Sequence, residues 1–450
     1  MAPRFDPIRF LQSEDGGITA LSLQMFLGAV VLGGLAVDVG NGVANKTHLQ
    51  VAADAAAHAA ILTREWHSED DAKQAAIDMA KENMSTTVYG NILTSSDIQF
   101  GTWNAATETF TPSSGSRDAV QVSTKRYAAN NNGVATYMLG LIGLNRWDVA
   151  SASVFETYYP SCFREGFVAQ DRVDMQSNSY YKAGFCIHSQ THVEVSSNNT
   201  FEPGVVVSMP DARDVVLPSS GFTSNTGLQP ALRDGSYNTK IINRIDSIIA
   251  GINTPNHADY GVMTSTSPYY RSYITSATPV NVKTQGKTAL DQNDFKSGRI
   301  HVLDCKNDNT HKQLGSGFTL KNMVIITDCR LQIGAGAVLE DAVIITTNTD
   351  SKSIYSSADI QIGKDDHRGF GGDVQIVTKG GMEFASKVSI FGSQLLAAGD
   401  ISLTANANGI EGASIVAGGK LDVTSNGTFG FCNGNGMNNN YEAAYFRLVR

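Results

Sequence analysis

The sequence after Cys162 repeats short apolar segments at a nearly constant spacing of about 20 residues. Val173–Asn178 (VDMQSN) is echoed one period later by Val193–Asn198 (VEVSSN), and Val324–Thr327 (VIIT) recurs in the same way at Val343–Thr346. The same spacing connects three further segments: Gly381–Phe384, Asp400–Leu403 and Lys420–Val423. Self-similarity at a fixed period is the sequence signature of a solenoid, in which each period forms one coil.

Each period contains apolar-x-apolar segments that are separated by Gly, Asn, Ser or Asp. Such alternation puts two apolar side chains on the inner face of a short strand and leaves polar residues for the turns. Three strands in a coil of about 20 residues predict a right-handed parallel β-helix, whose coils stack about 4.8 Å apart. A β-sandwich of short strands is the alternative, but a constant echo is not expected of it.

The repeats form two blocks, 161–210 and 316–432, and the stretch 211–315 between them lacks the echo. Within this insertion the spacing of apolar residues predicts a helix near 237–252. Its isoleucines make one stripe: Ile241, Ile242, Ile245, Ile248 and Ile249. The stripe either packs on one face of the solenoid or docks a partner, and we favour packing because an amphipathic helix normally covers its own domain.

Five cysteines are available for disulfides. Cys162 and Cys186 bracket one coil, and Cys305 and Cys329 bracket the return into the second block, so we propose these two bridges. Cys432 would then be free or would bond to another molecule. Other pairings stay open, because connectivity cannot be deduced from a sequence.

An uncharged stretch, Gly16–Val37, lies near the start of the chain, between Asp15 and Asp38. It is long enough to span a membrane, since about 20 apolar residues cross a bilayer as a helix. A secretory signal peptide has a shorter apolar stretch and a basic start, so we predict an uncleaved anchor, with a signal peptide as the alternative. Arg4 and Arg9 favour a cytoplasmic N-terminus only weakly. The cysteines that we expect to form disulfides favour an oxidising compartment for the chain beyond the span.

An ordered motif comes after the span: Asp38-Val39-Gly40, then Leu49-Gln50, then Ala52–Ala57 (AADAAA). This order resembles the N-terminal module of TadG-like proteins of the Flp (tight-adherence, Tad) pilus machinery. The resemblance implies a membrane helix, an Asp-x-Gly exit and an amphipathic helix. Independently of it, the helix-favouring Ala, Leu, Gln and Lys after Val43 predict that the helix runs on to about Trp66. The motif residues in this chain are Asp38, Gly40, Leu49, Gln50, Ala53 and Asp54.

Related processed pilin-like proteins carry a glutamate five residues after the cleavage glycine. Counted from Gly17, this chain has Ser22 at that position. The departure favours a permanent anchor over a polymerising pilin. Two small-xxx-small pairs, Ala29/Gly33 in the span and Ala36/Gly40 at its end, either let another helix approach closely or are incidental.

Residues 67–160 are expected to form a small α+β domain. Ser68–Asp71 has the pattern of a capping box that opens a second helix, and a short helix is predicted at Val134–Gly143 (VATYMLGLIG) between strand-like stretches. The chain is thus mainly β, with the division 1–66 (anchor and long helix, span about 16–37), 67–160 (α+β domain), 161–210 (first β-helix block), 211–315 (insertion), 316–432 (second block) and 433–450 (C-terminal cap tail).

The tail is expected to form an amphipathic helix with Tyr441, Ala444, Tyr445 and Leu448 on one face. Strands at the ends of a β-helix leave backbone groups unpaired, and such edges join other chains unless they are covered. We expect the tail to cover the last coil and the α+β domain to cover the first.

Catalysis is the main alternative to a structural role, because a fold does not fix a function. Asn348-Thr349-Asp350 and Asp365-Asp366 superficially resemble two motifs of polygalacturonase-like glycoside hydrolases, in which paired carboxylates act as acid and base. The Gly-His-Gly and Arg-Ile-Lys motifs of that family are missing downstream, and a polar turn explains the aspartate pair equally well.

A metal site is also considered, because Cys186, His188 and His192 share strand parity. It would compete with a disulfide for Cys186 and would need a fourth ligand. We therefore expect no metal, no cofactor and no catalytic residues.

The composition argues against nucleic acid as the main binding partner. Charged residues make up 17% of the chain and the net charge is −9, whereas nucleic-acid binding requires a basic surface. We expect a non-enzymatic, single-pass protein of the bacterial inner membrane, with the N-terminus in the cytoplasm and the bulk in the periplasm. It would serve tight-adherence pilus assembly, with the β-helix as a contact surface. Expected partners are other Tad machinery proteins or pilins and the lipid bilayer, with a homo-oligomer as an option. A membrane-tethered β-helix enzyme and a surface adhesin for cell adhesion are the alternatives.

Overall fold

The structure is a computed structural model, and it describes residues 17–253, 261–265, 267–306, 311–366, 369–404, 406–407, 409–434 and 436–450. Gly16, Arg4 and Arg9 lie outside these ranges. The chain divides into two compact units, Met1–Tyr158 with Ala444–Arg450, and Tyr159–Ala443. Strands are numbered β1 to β31 and α-helices α1 to α7 along the chain.

The first unit is built around one uninterrupted helix, α1, which spans Gly17–Arg64. Its 48 residues extend over about 72 Å at 1.5 Å per residue. Helix α2 (Glu69–Asn83) follows, and its capping box is confirmed: the Asp71 amide donates to Ser68 Oγ at 3.1 Å, and the Ser68 amide donates to the Asp71 carboxylate at 3.3 Å. The one-turn helix α3 comprises Thr86–Tyr89.

A five-stranded antiparallel sheet completes the first unit, in the order β2-β1-β3-β6-β31. The strand bounds are Ile98–Asn104 (β1), Thr109–Pro112 (β2), Ala119–Arg126 (β3), Val149–Tyr158 (β6) and Tyr445–Leu448 (β31). A separate hairpin pairs β4 (Val134–Ala135) with β5 (Arg146–Trp147). The alanine-rich faces of α1 and α2 bury their small side chains together with Phe100, Val120 and Val122 of the sheet.

The second unit contains parallel strands, which contradicts the sandwich alternative since sandwich sheets are antiparallel. The first group is Gly166–Ala169 (β7), Val173–Met175 (β8), Tyr180–Tyr181 (β9), Cys186–Ser189 (β10), Val193–Val195 (β11), Asn199–Phe201 (β12), Val206–Met209 (β13), Asn225–Thr226 (β14) and Leu232–Asp234 (β15). Helices Ser161–Arg164 (α4), Leu228–Ala231 (α5), Lys240–Asn243 (α6) and Ile245–Ile252 (α7) lie before, within and after it.

The second group of strands begins inside the predicted insertion. It comprises Val280–Val282 (β16), Arg299–Leu303 (β17), Lys312–Leu314 (β18), Thr319–Thr327 (β19), Leu331–Ile333 (β20), Val338–Thr346 (β21), Ile354–Ser356 (β22), Gln361–Ile362 (β23), Val374–Thr378 (β24), Met382–Phe384 (β25), Ser389–Ala397 (β26), Ile401–Leu403 (β27), Ile410–Ala417 (β28), Leu421–Val423 (β29) and Thr428–Gly430 (β30).

The echoes in the sequence are parallel pairings in the structure. Val193 pairs with Val173, Val343 with Val324, and Ile401 with both Met382 and Leu421. Side chains that alternate inward form one apolar core, and asparagines such as Asn178 and Asn198 turn the corners with φ near 63° and 66°. Asparagine tolerates this left-handed region better than most residues, so the corner favours the repeated Asn, although Asp359 and Lys387 adopt the same region in other repeats.

The order of the repeats in space differs from their order in the sequence. In the eight-stranded sheet the order is β11-β8-β29-β27-β25-β22-β20-β18, so the last repeat, β29, pairs directly with the first repeat, β8. At the same junction β28 pairs with β7 and β30 pairs with β9. The first repeat is therefore an interior one that lies between the second repeat and the last.

This order removes the edges that we expected the tail and the α+β domain to cover. The predicted helix in the tail is also wrong: Tyr445–Leu448 is strand β31, which pairs antiparallel with Phe155–Tyr158 of β6 in the first unit. In this four-residue segment Tyr445 and Arg447 alternate with Phe446 and Leu448. So short a pattern suits a strand as well as a helix. Pairing with β6 decides between them.

The free ends of the stack come from the insertion. Strands β14 and β15 extend one end, and β16 to β18 form the other. The row of strands from β15 to β16 contains eleven members, so Asp234 at the end of β15 and Val280 at the start of β16 are separated by about 48 Å at 4.8 Å per strand. The connection between these two residues is called the return segment. On the way, Ile245, Ile248, Ile249 and Ile252 of α7 are buried against their own unit.

The return segment and the tail meet at one buried side chain, Arg271, which is 1% exposed. Its Nη2 donates to the Asn439 carbonyl at 2.9 Å and to the Tyr441 hydroxyl at 3.0 Å, and its Nε donates to Gln375 Oε1 at 3.3 Å. Gln394 holds the Tyr441 backbone with two further bonds of 2.8 and 3.0 Å. These bonds fix both segments to the outer face of β24 and β26.

Candidate membrane-exit site

The apolar side chains in the first half of α1 are exposed. Exposed fractions include 80% for Ile18, 64% for Phe26 and 70% for Leu32. Between residues 18 and 40, which the structure describes without a gap, only Gly34 and Asp38 are buried. A helix that is apolar on all sides and is not covered by its own chain has the character of a membrane span, and α1 is long and apolar enough to be one.

Asp38 ends the uncharged stretch and binds three consecutive backbone amides. The Tyr137 amide donates to Oδ1 at 2.6 Å, and the amides of Met138 and Leu139 donate to Oδ2 at 3.0 and 2.7 Å. The side chain lies under this loop and Asp38 is 1% exposed. Desolvation raises its pKa, but the three amide donors outweigh desolvation and leave the pKa of Asp38 below its ordinary value.

The β4–β5 hairpin presents these amides. Its base is held at Asn41, whose Nδ2 donates to the Ala135 carbonyl at 2.9 Å. Two glycines of α1 let the hairpin approach: a Cβ on Gly34 would lie 2.5 Å from the Cβ of Met138, and a Cβ on Gly42 would lie 2.7 Å from the Trp147 ring. Larger residues at these two positions would displace the hairpin.

No pattern in the sequence indicates this contact. The predicted helix at Val134–Gly143 is wrong except for one 3₁₀ turn, Leu139–Ile142. Asp38 and Tyr137 are 99 residues apart, so no local pattern links them. The signals that are present are a charged residue at the end of a span and an uncharged apolar loop.

The other motif residues build the interface between α1 and the sheet. Leu49 and Ala53 are fully buried, and the Leu49 carbonyl accepts a bond of 2.9 Å from the Thr124 hydroxyl of β3. Gln50 donates to Asp54 at 2.8 Å and to the Ala152 carbonyl of β6 at 3.3 Å. A Cβ on Gly40 would meet nothing within 4 Å, so the fold of the first unit does not require glycine there.

The structure contains two disulfides, Cys162–Cys186 and Cys305–Cys329. Cys432 belongs to neither and is buried. Its amide donates to one oxygen of Glu165, and the Gly434 amide donates to the other at 2.9 Å. Glu165 therefore joins the entry into the second unit to the exit from it.

The carboxylates of the enzyme alternative do not form one site. Asp365 and Asp366 line a recess of about 20 Å³, which is room for about one water. The described residues of that recess do not include Asp350, which lies 3.6 Å from the guanidinium of Arg330. The enclosed part of this recess is smaller than a sugar ring.

The residues of the metal alternative are engaged elsewhere. Cys186 is in a disulfide, the His188 ring bonds to the Ser208 hydroxyl at 2.8 Å, and His192 bonds to Glu194 at 3.2 Å. Burial lowers the pKa of His188 to about 4, so its ring is neutral at pH 7. The His188–Ser208 bond joins neighbouring repeats, whereas the His192–Glu194 bond lies within one repeat.

Comparison with known families gives separate matches for the two compact units of the chain. Residues 16–73 match the family described as Flp pilus-assembly TadE/G-like, and residues 55–154 match the family described as Tad-like Flp pilus-assembly. Residues 166–433 match the family described as Domain of unknown function (DUF7867). No curated protein and no solved structure gives a match.

The exposed apolar helix, the Asp38 exit and the two N-terminal matches define the class: this is a TadG-like Flp pilus-assembly protein, as the motif order predicts. Through its second unit, whose match covers more than half of the sequence, the chain belongs to the DUF7867 family.

Proposed function

We propose that the chain is a non-enzymatic structural component of Flp (tight-adherence) pilus assembly, anchored in the bacterial inner membrane by a span of about residues 16–37. The arrangement at Asp38 carries this proposal: the exposed, uncharged part of α1 ends at a carboxylate that accepts hydrogen bonds from three backbone amides of a folded loop. A carboxylate at the bilayer centre costs about 2.5–3.5 kcal/mol on insertion scales. A carboxylate that a folded loop covers therefore suits the water-facing end of a span.

The two disulfides support an N-terminus in the cytoplasm and both units in the periplasm. Disulfides persist in oxidising compartments such as the periplasm and are rare in the cytosol. Both bridges lie after the span, and each links residues 24 apart in sequence. The same reasoning assigns the short segment before Gly16 to the cytoplasm.

We further propose that the second unit is a right-handed parallel β-helix and that its sides form a contact surface for other Tad machinery proteins or pilins. Strands of successive repeats pair in register, Val324 with Val343 and Ile401 with Leu421, which supports one coil per period. Stacked coils give extended, rigid surfaces of the kind that solenoids use for binding. The charged ladder at the junction is one such surface, since Arg172 lies 2.6 Å from Glu194 and 3.5 Å from Asp422 on the neighbouring coils.

Two fusions test the anchor and its orientation. A phosphatase that is active only in the periplasm, fused after Arg450, should be active, and the same fusion without Gly16–Val37 should be inactive and soluble. A cytoplasm-active fluorescent protein fused after Arg450 is the matched control and should stay dark. An inactive full-length phosphatase fusion, or fluorescence of the control, contradicts the orientation. Activity or membrane retention of the fusion without Gly16–Val37 contradicts the anchor.

Piliation tests the role itself. Deletion of the gene should abolish surface fibres while pilin is still made, and the full chain supplied in trans should restore them. Normal piliation of the deletion strain contradicts an assembly role without bearing on the anchor.

A further inference from the structure

The tip of the β4–β5 hairpin lies beside the span rather than above it. Its base is fixed at Asn41, but Met138 of the tip packs on Gly34. At 1.5 Å per residue, Gly34 is about 10 Å from Asn41 along the helix and about 6 Å inside the uncharged stretch from Asp38. The hairpin therefore points back along α1 towards its N-terminus.

The tip has the composition of a segment that contacts lipid. Tyr137–Leu144 (YMLGLIGL) carries no charge along its whole length. Tyr137 is 65% exposed and Leu144 is 54% exposed. Met138 of the same loop packs on the exposed apolar part of α1. The environment that covers this part of the helix would therefore also cover the exposed side chains of Tyr137 and Leu144.

Polar and amphipathic residues follow at the height where headgroups would lie. Trp147 packs on Gly42, one turn of α1 beyond Asp38, and Arg146 beside it is exposed. Lys46 is exposed one turn further along the helix. Tryptophan and basic side chains are enriched at the membrane–water interface, where the ring sits among headgroups and the cation faces phosphate.

We propose that Tyr137–Leu144 inserts into the outer boundary of the acyl chains in the bilayer that α1 spans. The Asp38 carboxylate holds the loop at this depth by accepting hydrogen bonds from three backbone amides of the loop. The first unit then contacts the membrane at two points, which prevents it from tilting about the helix. This inference rests on the proposed anchor.

Fluorescence quenching in vesicles tests the insertion with the full chain. Single cysteines replace Leu27 in the span, Leu144 in the loop and Ala106 in the exposed β1–β2 turn, and each variant carries an environment-sensitive dye. Native cysteines compete little for the dye, because four are in disulfides and Cys432 is buried. The proteins are reconstituted into phosphatidylcholine vesicles with a minority of phosphatidylglycerol, with or without acyl-chain nitroxide lipid.

Nitroxide lipid should quench the dyes at 27 and 144 at least twofold more than the dye at 106. Quenching at 27 with only the background level at 144 overturns the loop insertion and leaves the anchor intact. Background quenching at 27 overturns the anchor itself. In the Asp38→Ala background, quenching at 144 should fall while quenching at 27 persists, and unchanged quenching at 144 contradicts the role of Asp38 in holding the loop.

Discussion

The junction between the last and first repeats can be tested through two aromatic rings that are distant in sequence. Phe429 of β30 and Tyr181 of β9 are both fully buried, and their rings stack with centroids 4.8 Å apart and planes 19° apart. Truncation of a buried phenylalanine to alanine costs about 3–5 kcal/mol. A stacked pair contributes about 0.5–1.5 kcal/mol beyond the area that it buries.

We therefore expect Phe429→Ala and Tyr181→Ala to be non-additive, with a coupling energy of about 0.5–1.5 kcal/mol in a double-mutant cycle. Tyr181→Ala paired with Phe384→Ala is the matched control, because Phe384 is equally buried but lies on β25, separated from β8 by β27 and β29. That pair should be additive within about 0.5 kcal/mol.

Urea unfolding of the full chain in detergent, followed by two spectroscopic probes that must coincide, provides the free energies. If the repeats were stacked in sequence order, Phe429 and Tyr181 would lie far apart and their coupling would vanish. A coupling no larger than that of the control pair would refute the order of the repeats. Where the alanine variants do not fold, the leucine variants give the same comparison with smaller losses.

Further outcomes are expected for the disulfides, the carboxylates and the buried histidine. Replacing Cys305 and Cys329 by serine should lower stability by about 3.5 kcal/mol, the chain-entropy estimate for a loop of 24 residues, as measured by urea midpoint against wild type under oxidising conditions. Replacing Asp365 and Asp366 by asparagine should leave piliation and the melting temperature unchanged, and cleavage of polygalacturonan by the wild type that this variant loses would reverse the structural assignment. The pKa of His188 is about 4 when folded and near 6.5 when unfolded, so the unfolded chain binds the extra proton between these values. Stability should thus fall from pH 6.5 towards pH 4 by at most about 3 kcal/mol, and His188→Asn should show a shallower fall.

The local features of the fold could be predicted from the sequence. The period of the repeats determines which side chains pair, as Val324 with Val343 shows, and the capping box determines where α2 begins. The same logic fails where the loops vary in length. Asn199 and Asn225 are paired although they are further apart in sequence than one period, and so are Arg299 and Met323, which is why the echo does not reveal these strands.

The contacts at Asp38 and between repeats could not be predicted for a different reason. The period gives the number of residues between repeats. Because the backbone edges of all repeats are alike, any repeat can pair with any other, and the sequence does not show which repeat lies at the end of the stack. The amides that bind Asp38 carry no side-chain signature, since any residue except proline offers one. Only the three-dimensional path of the chain brings them together.

The place where the second unit joins the first explains why its repeats are reordered. Tyr158 at the end of β6 pairs with Tyr445 at the start of β31, so the chain leaves and re-enters the first unit at neighbouring positions. An inserted unit must therefore begin and end at nearly the same point, whereas the two ends of a stack in sequence order are separated by its full length. Pairing of the last repeat with the first brings these ends together, and Glu165 binds the amides of Cys432 and Gly434 at that point. This order also explains the return segment 235–279. Because the first and last repeats are internal, the two ends of the stack are connected to each other along its side.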